Sequence, residues 1–136
     1  MKSKKHFSYI LMVNGEEFPV SNKNEIKEIL DRTCRPQFNE IFLNRDDDKA
    51  ISILSNYDNA WITYFRFNGD AGFRSSNPDY KGEEDKKLEF LLSNGQMDMY
   101  PASWTIPFKK TLETLDYFIE NGDKAPWIIW NDNSAI

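Results

Sequence analysis

The sequence predicts an α+β domain with a largely antiparallel sheet of about eight strands and two helices. Two kinds of segment favour this fold class. Short runs in which apolar and polar residues alternate are separated by turn-forming residues, as in antiparallel strands. Two other segments repeat apolar residues at helical spacing. With 136 residues, of which 40% are hydrophobic, the chain can bury a sizeable core, and we expect one domain over residues 1–136.

The chain opens with a basic tail and a β-hairpin. Residues 1–6 contain three lysines and precede any patterned segment, so we expect them to form a disordered tail. The run 7–13 is rich in β-forming residues, and Asn14-Gly15 is the strongest short hairpin turn. We therefore expect residues 17–20 to return beside 7–13.

Helical spacing begins after the hairpin. Ser21 or Asn22 offers a side-chain oxygen that can cap a helix, and Glu25 lies in the first turn, where negative charge is favourable. This first helix is expected to end near Arg35-Pro36. Its apolar positions recur three and four residues apart: Ile26, Ile29, Leu30 and Cys34.

From Glu40 the apolar period changes to two and predicts three strands, near 41–43, 51–54 and 61–67. In the last of these runs, Trp61 and alternate residues share one face, while Ile62 and alternate residues share the other. Both faces are substantially apolar. We therefore expect a central strand that is covered on one side and partly on the other.

The next segment predicts a short strand, a loop and a second hairpin. A short strand is expected around Phe73, followed by an exposed loop over 75–85, which has no apolar rhythm. Residues 88–92 and 97–100 then flank the turn at Asn94-Gly95, the arrangement of a second hairpin.

A second helix and a final strand complete the prediction. Pro107 suits the first position of a helix, and Gly122 supplies its stop. Residues 126–130 are expected to form the last strand. We assign Trp127, Ile129 and the central-strand residue Trp61 to the core.

The charge of the chain limits its partners. Acidic residues outnumber basic ones by 22 to 17, which gives a net charge of −5. Such a chain repels phosphate backbones and has no basic stripe, so direct nucleic-acid binding is not expected. An acidic protein instead attracts basic partners and speeds their encounter. We expect a monomer or weak dimer that has no membrane-spanning segment.

Cysteine and histidine content argue against catalytic and metal sites. The chain has one cysteine, Cys34, and one histidine, His6, which are too few for a zinc cluster or an internal disulfide. His6 lies at the edge of the basic tail, a poor position for proton transfer in a preorganised site. We expect a cytoplasmic protein that is not an enzyme and has no catalytic, cofactor-binding or metal-binding residues. The alternative is a small ligand-binding domain or an enzyme with an aromatic and carboxylate cleft.

Two groups of residues are candidates for contact with a partner protein. The run Asp46 to Asp48 lacks the spacing of a calcium loop, so it is either a solvated loop or a charged contact. Two aromatic residues flank Pro101 ahead of the second helix, where a loop can present them. The candidate partner-binding residues are Asp46, Asp47, Asp48, Tyr100 and Trp104.

The C-terminal half carries a series of motifs that resembles a known family. In order, these are Phe90 to Gln96 with its Asn94-Gly95 turn, Tyr100-Pro101, Ile106-Pro107, the helix residues Leu112, Leu115 and Phe118, Asn121-Gly122, Pro126, and Ile128-Ile129-Trp130. This order and spacing resemble the immunity protein 1 family of bacterial toxin–immunity systems. The segment Ala60 to Phe65 is similar to the central strands of that family.

The resemblance covers roughly residues 40 to 131, and its motifs are folding signals rather than catalytic ones. The chain departs from the family at Asn121 to Pro126, where the family commonly has Thr-Gly and a basic residue before the proline. The resemblance implies a cytoplasmic immunity protein, encoded beside a secreted polymorphic toxin such as a nuclease or deaminase. Such a protein binds its cognate toxin and neutralises it stoichiometrically.

Overall fold

The computed structural model describes residues 6–134 and confirms the α+β fold class. Of the tail predicted over residues 1–6, only His6 lies within the described residues. The two helices are α1 (Lys23–Thr33) and α2 (Thr111–Asn121). The strands are β1 (Tyr9–Val13), β2 (Glu16–Val20), β3 (Phe38–Arg45), β4 (Ala50–Asn56), β5 (Asn59–Phe65), β6 (Phe73–Ser76), β7 (Lys87–Leu91), β8 (Met97–Pro101), β9 (Ile106–Pro107) and β10 (Ile129–Asp132).

Antiparallel pairing joins most strands into one sheet, with the order β10-β6-β5-β4-β3-β1-β2. The short strand β9 pairs with the start of β5, beside Asn59 and Ala60. Strands β7 and β8 form a separate two-stranded hairpin. Chain neighbours therefore pair through short turns, as the two Asn-Gly turns predict.

Both helices pack against one face of the sheet and form the core with it. Ile26 of α1 and Leu115 and Phe118 of α2 are fully buried there. Because side chains alternate along a strand, every second residue of the central strands faces the helices. These residues are Leu11, Val13, Ile41, Leu43, Ile51, Ile53, Ile62 and Tyr64, all buried.

The start of α1 confirms the predicted cap. The Asn22 Oδ1 atom accepts a hydrogen bond of 3.0 Å from the Glu25 amide, and the Glu25 Oε1 atom accepts from the Ser21 amide and hydroxyl. Reciprocal capping of this kind satisfies amides that the helix itself leaves unpaired. The cap fixes where α1 begins, and the apolar face of the helix packs against the sheet.

The start of α2 differs from the prediction. Pro107 lies in β9 with extended backbone angles, and the Phe108 amide donates to the Asp58 carbonyl. This pairing beside β5 holds Pro107 outside the helix, and a 3₁₀ turn over Phe108–Lys110 precedes α2. Propensity favoured Pro107 as a first helical residue, but tertiary pairing overrides it.

Two residues that were assigned to the core are exposed instead. Trp127 and Ile129 are 48% and 54% exposed, so that assignment was wrong. The last strand begins at Ile129 rather than Pro126, because residues 126–128 form a turn in which Ile128 is buried. Trp130 takes the place against the core, and its Nε1 donates to the Ala125 carbonyl at 2.7 Å.

Gly122 ends α2 in a left-handed conformation, with φ at 64°. A Cβ atom there would lie 2.5 Å from the Arg45 Nη1 atom. We expect Gly122→Ala to lower the free energy of unfolding by about 1–2 kcal/mol, because left-handed backbone is strained for alanine. Urea unfolding measures this loss. Gly122→Asn is the control, since asparagine tolerates the left-handed region; an equal loss would contradict the backbone explanation.

Asp70 is buried and pairs with Arg66, the last residue before the turn that follows β5. Its Oδ2 accepts from the Arg66 amide and Nε atoms, both at 2.9 Å, and Oδ1 accepts from Nη2 at 3.0 Å. The Arg66 guanidinium therefore holds the pKa of the Asp70 carboxyl well below its usual range. Hydrogen bonds from Arg45 similarly lower the pKa of Asp47 to about 2.

These depressed pKa values predict loss of stability in acid. A carboxylate whose folded pKa is lowered stabilises the fold above its unfolded pKa of about 3.9, and this contribution disappears as the pH falls through the folded value. We expect the urea midpoint to fall steadily below about pH 4. Asp70→Asn should be less stable at pH 7 and show a shallower decline below pH 4. An unchanged slope would contradict the role of Asp70.

Strand β2 is one edge of the sheet, and it carries Pro19 opposite Ile10. Proline has no amide hydrogen, so this edge lacks one donor. Neither of the two helices could cross a membrane: each has 11 residues.

Candidate functional site

The sheet face opposite the helices is only partly covered. We call the part that lies beyond the β7–β8 hairpin the open face, and the strand registers define it. Two of its residues, Ala50 and Thr63, are buried. Its central apolar residues, Met12, Phe42 and Phe65, are half-buried. From β2 to β10 the open face consists of Glu17, Pro19, Ile10, Met12, Phe42, Asn44, Ala50, Ser52, Thr63, Phe65, Arg74 and Asn131.

The β7–β8 hairpin covers the other end of the same face. The Asn56 Nδ2 atom donates to the Glu89 carbonyl at 2.9 Å, which fixes β7 at the end of β4. At the hairpin turn, the Ser93 amide and hydroxyl donate to the Glu40 carboxylate on β3. The hairpin thus crosses the sheet and forms one boundary of the open face.

Three aromatic side chains stack where the hairpin meets the sheet. The ring centroids of Trp61 and Tyr100 lie 4.0 Å apart, and Trp104 lies 5.6 Å from Trp61 and 5.9 Å from Tyr100. Phe90 is fully buried behind them. Burial raises the pKa of Tyr100, and the hydrogen bond from its hydroxyl to Asp98 raises it further. These contacts hold Tyr100 and Trp104 in one orientation beside the open face.

A row of polar residues crosses the open face next to this stack. The registers align Ser52 with Thr63, Thr63 with Arg74, and Arg74 with Asn131. Within residues 6–134, none of these four side chains has a hydrogen-bond or ion-pair partner. The Arg74 guanidinium carbon lies 4.1 Å from the centre of the Trp104 ring, and burial lowers the pKa of Arg74.

The acidic run lies at the opposite boundary of the open face, in the turn between β3 and β4. Asp47 forms two hydrogen bonds of 2.7 Å with Arg45, whose guanidinium lies over Phe7. Asp48 has φ at 73° and forms the turn itself. Asp46 extends the register of β3, since its amide donates to the Ser8 carbonyl.

The five predicted contact residues therefore divide by position. By strand alternation the Asp46 side chain falls on the side of the open face, and Tyr100 and Trp104 border that face at the hairpin. The Asp47 carboxylate forms an ion pair with Arg45. The acidic turn and the β7–β8 hairpin, which form the two boundaries, are at least about 13 Å apart, because β4 advances by four residue steps from Ala50 to Leu54.

Sequence patterns missed Arg74 and the polar row. Arg74 stands between Phe73 and Ser75 in a strand of four residues, too short for its alternation to indicate a face. Its neighbours Ser52 and Asn131 belong to strands distant in sequence. Only the strand order brings them together, and no local spacing encodes that order.

The chain also has a cleft, lined by both polar and apolar residues, that bears on the ligand-binding alternative. This cleft has a volume of about 580 Å³ and lies beside β9, lined by residues that include Asp58, Asn59, Glu83 and Lys86.

Within residues 6–134 no group of three or more histidine, cysteine or acidic side chains is placed to hold a metal ion. Burial raises the pKa of the Cys34 thiol, beside α1, to about 11, so at neutral pH it is protonated.

Comparison of the chain with protein-family models and with curated proteins finds no match.

Proposed function

We propose that this chain is a cytoplasmic immunity protein. Its partner would be a cognate toxin encoded by a neighbouring gene, a basic nuclease or deaminase domain, which it binds and neutralises stoichiometrically. The observation that carries the proposal is the open face, whose half-buried apolar centre lies on the side of the sheet away from both helices. Contiguous apolar patches of this kind commonly mark protein-interaction sites.

The dimensions and composition of the open face suit a protein partner. It extends over seven strands of the sheet, a width of roughly 30 Å at about 4.8 Å per strand spacing. Protein interfaces combine an apolar centre, enriched in aromatic residues and methionine, with a polar rim. Met12, Phe42 and Phe65 supply such a centre, and Glu17 and Asp46 lie at its margins.

Charge favours a basic partner. The chain carries a net charge of −5, and the exposed acids Glu17 and Asp46 border the open face. Opposite charges accelerate association, whereas the buried apolar centre governs dissociation. A domain that acts on nucleic acids needs a basic substrate groove. The open face can therefore cover that groove and exclude the substrate.

Co-expression tests the proposal. The chain would be produced with the product of each adjacent gene, and complexes would be purified through a tag on that product. We expect one adjacent product to be toxic alone, to co-purify in a one-to-one complex, and to lose its toxicity when the chain is present. The proposal fails if no adjacent product is toxic, or if a toxic product neither binds the chain nor is neutralised by it.

A separate measurement addresses the alternative of a ligand-binding domain or enzyme. That alternative places function in a cleft such as the one beside β9, and it needs no partner protein. Glu83→Gln, in the loop that lines this cleft, should leave toxin neutralisation unchanged if the open face is the binding site. Under the alternative, the isolated chain would bind a small ligand or turn over a substrate, and Glu83→Gln would weaken that activity.

A further inference from the structure

Arg74 occupies an unusual position on the open face. It is the only cationic side chain that the registers place there within residues 6–134. Of the four other arginines in the described chain, Arg45 pairs with Asp47 and Arg66 pairs with Asp70. The other two, Arg32 and Arg35, have no ion-pair partner but are exposed to solvent. Arg74 is half-buried and has no such partner.

The surroundings of Arg74 hold its guanidinium in place. The Trp104 ring lies 4.1 Å away and is itself fixed by stacking on Trp61 and Tyr100. Trp104 ends a second 3₁₀ turn, over Ala102–Trp104. The Ser75 hydroxyl donates to the Trp104 carbonyl at 2.8 Å, which links this turn to β6. A guanidinium held in one orientation loses little side-chain entropy when it binds a ligand.

We propose that Arg74 binds a carboxylate side chain of the partner protein, an aspartate or glutamate. This inference depends on the proposed function, because it assigns the partner's chemistry at the same open face. A guanidinium presents a planar fork of donors that matches a carboxylate with two parallel hydrogen bonds. Thr63, which is directly paired with Arg74, has a hydroxyl on the same face.

A partner carboxylate fits this position better than a phosphate group. The chain has a net charge of −5, and acidic residues such as Glu17 and Asp46 border the face. This field opposes the higher charge of phosphate and of nucleic acids more strongly than the single charge of a carboxylate. A partner surface that is basic except for one acid opposite Arg74 favours a single position on the open face. If the partner slides along the face, one of its basic residues comes to lie opposite Arg74, and the like charges repel.

The experiment measures affinity for the toxin domain by titration calorimetry. Wild type, Arg74→Gln and Arg74→Lys are compared with the toxin domain encoded by the neighbouring gene. We expect Arg74→Gln to bind roughly 30-fold more weakly, the effect of an interface hot spot. Arg74→Lys should recover only part of the loss, because lysine lacks the planar fork. Arg32→Gln, on the exposed side of α1, is the matched control and should bind as wild type does.

Charge reversal on both partners identifies the carboxylate. Each acid on the toxin domain would be changed to lysine in turn and paired with Arg74→Glu. One such change should restore binding to Arg74→Glu while weakening wild type. Thermal unfolding of each variant checks that folding is intact, and Arg74→Met, which keeps the apolar stem, replaces any variant that does not fold.

The possible failures are distinguishable. If wild type binds no toxic neighbour, the proposed function itself fails. If wild type binds but Arg74→Gln binds equally well, or no partner acid couples to position 74, only the carboxylate contact is overturned. Inorganic phosphate is the remaining probe: binding at low millimolar concentration that Arg74→Gln abolishes would overturn the choice of carboxylate.

Discussion

Phe118→Ala is expected to lower the free energy of unfolding by about 3–5 kcal/mol, the usual cost of removing a buried aromatic ring. Phe118 is 0% exposed and lies in the middle of the buried face of α2. Its ring contacts Tyr9 at 6.1 Å and Tyr64 at 6.2 Å between centroids, both in edge-on geometry. Alanine would leave a cavity between helix and sheet that these rigid rings cannot fill.

Urea unfolding at pH 7, followed by circular dichroism, measures this loss. Tyr117→Ala is the matched control, because Tyr117 is the preceding residue of the same helix and packs edge-on against the exposed Trp127 at 5.4 Å. That change should cost much less. Equal losses at positions 117 and 118 would contradict the assignment of Phe118 to the centre of the core.

Ser52→Arg is expected to weaken binding of the proposed toxin partner by about 100-fold, equivalent to roughly 2.7 kcal/mol. Ser52 is half-buried on the central strand β4, between Phe42 and Thr63 in the registers of the open face. An arginine there projects from the middle of the apolar surface. It would separate the two proteins and repel a basic partner.

Affinity and toxicity rescue would both be measured for Ser52→Arg. Asn24→Arg is its control, since it adds the same side chain at an exposed position of α1 on the other side of the molecule. Asn24→Arg should bind and rescue like wild type. If Ser52→Arg folds and still neutralises the toxin, the open face is not the binding surface.

Local features of the fold were predictable because their causes lie within a few residues. The Asn22 side chain accepts a hydrogen bond from an unpaired amide at the start of α1. Asn14, Gly15 and Gly122 adopt the positive φ angles that their own turn or helix end requires. The apolar alternation of β5 also indicated correctly that one of its faces is fully covered and the other partly.

Features that depend on distant segments were not predictable from local patterns. Trp127 and Ile129 are apolar but exposed: Trp127 lies in the turn before β10, and the register of β10 on β6 places Ile129 on the exposed side. Likewise, the Tyr100–Trp104 stack was predicted as a loop contact, whereas Trp61 from β5 holds it half-buried. Only packing between segments determines these outcomes.

Pro19 bears on how the free protein behaves before it meets a target. A second copy of the chain that aligned itself along β2 would find one hydrogen-bond donor missing from that edge. Strand-by-strand growth into fibrous aggregates is thereby discouraged at this edge.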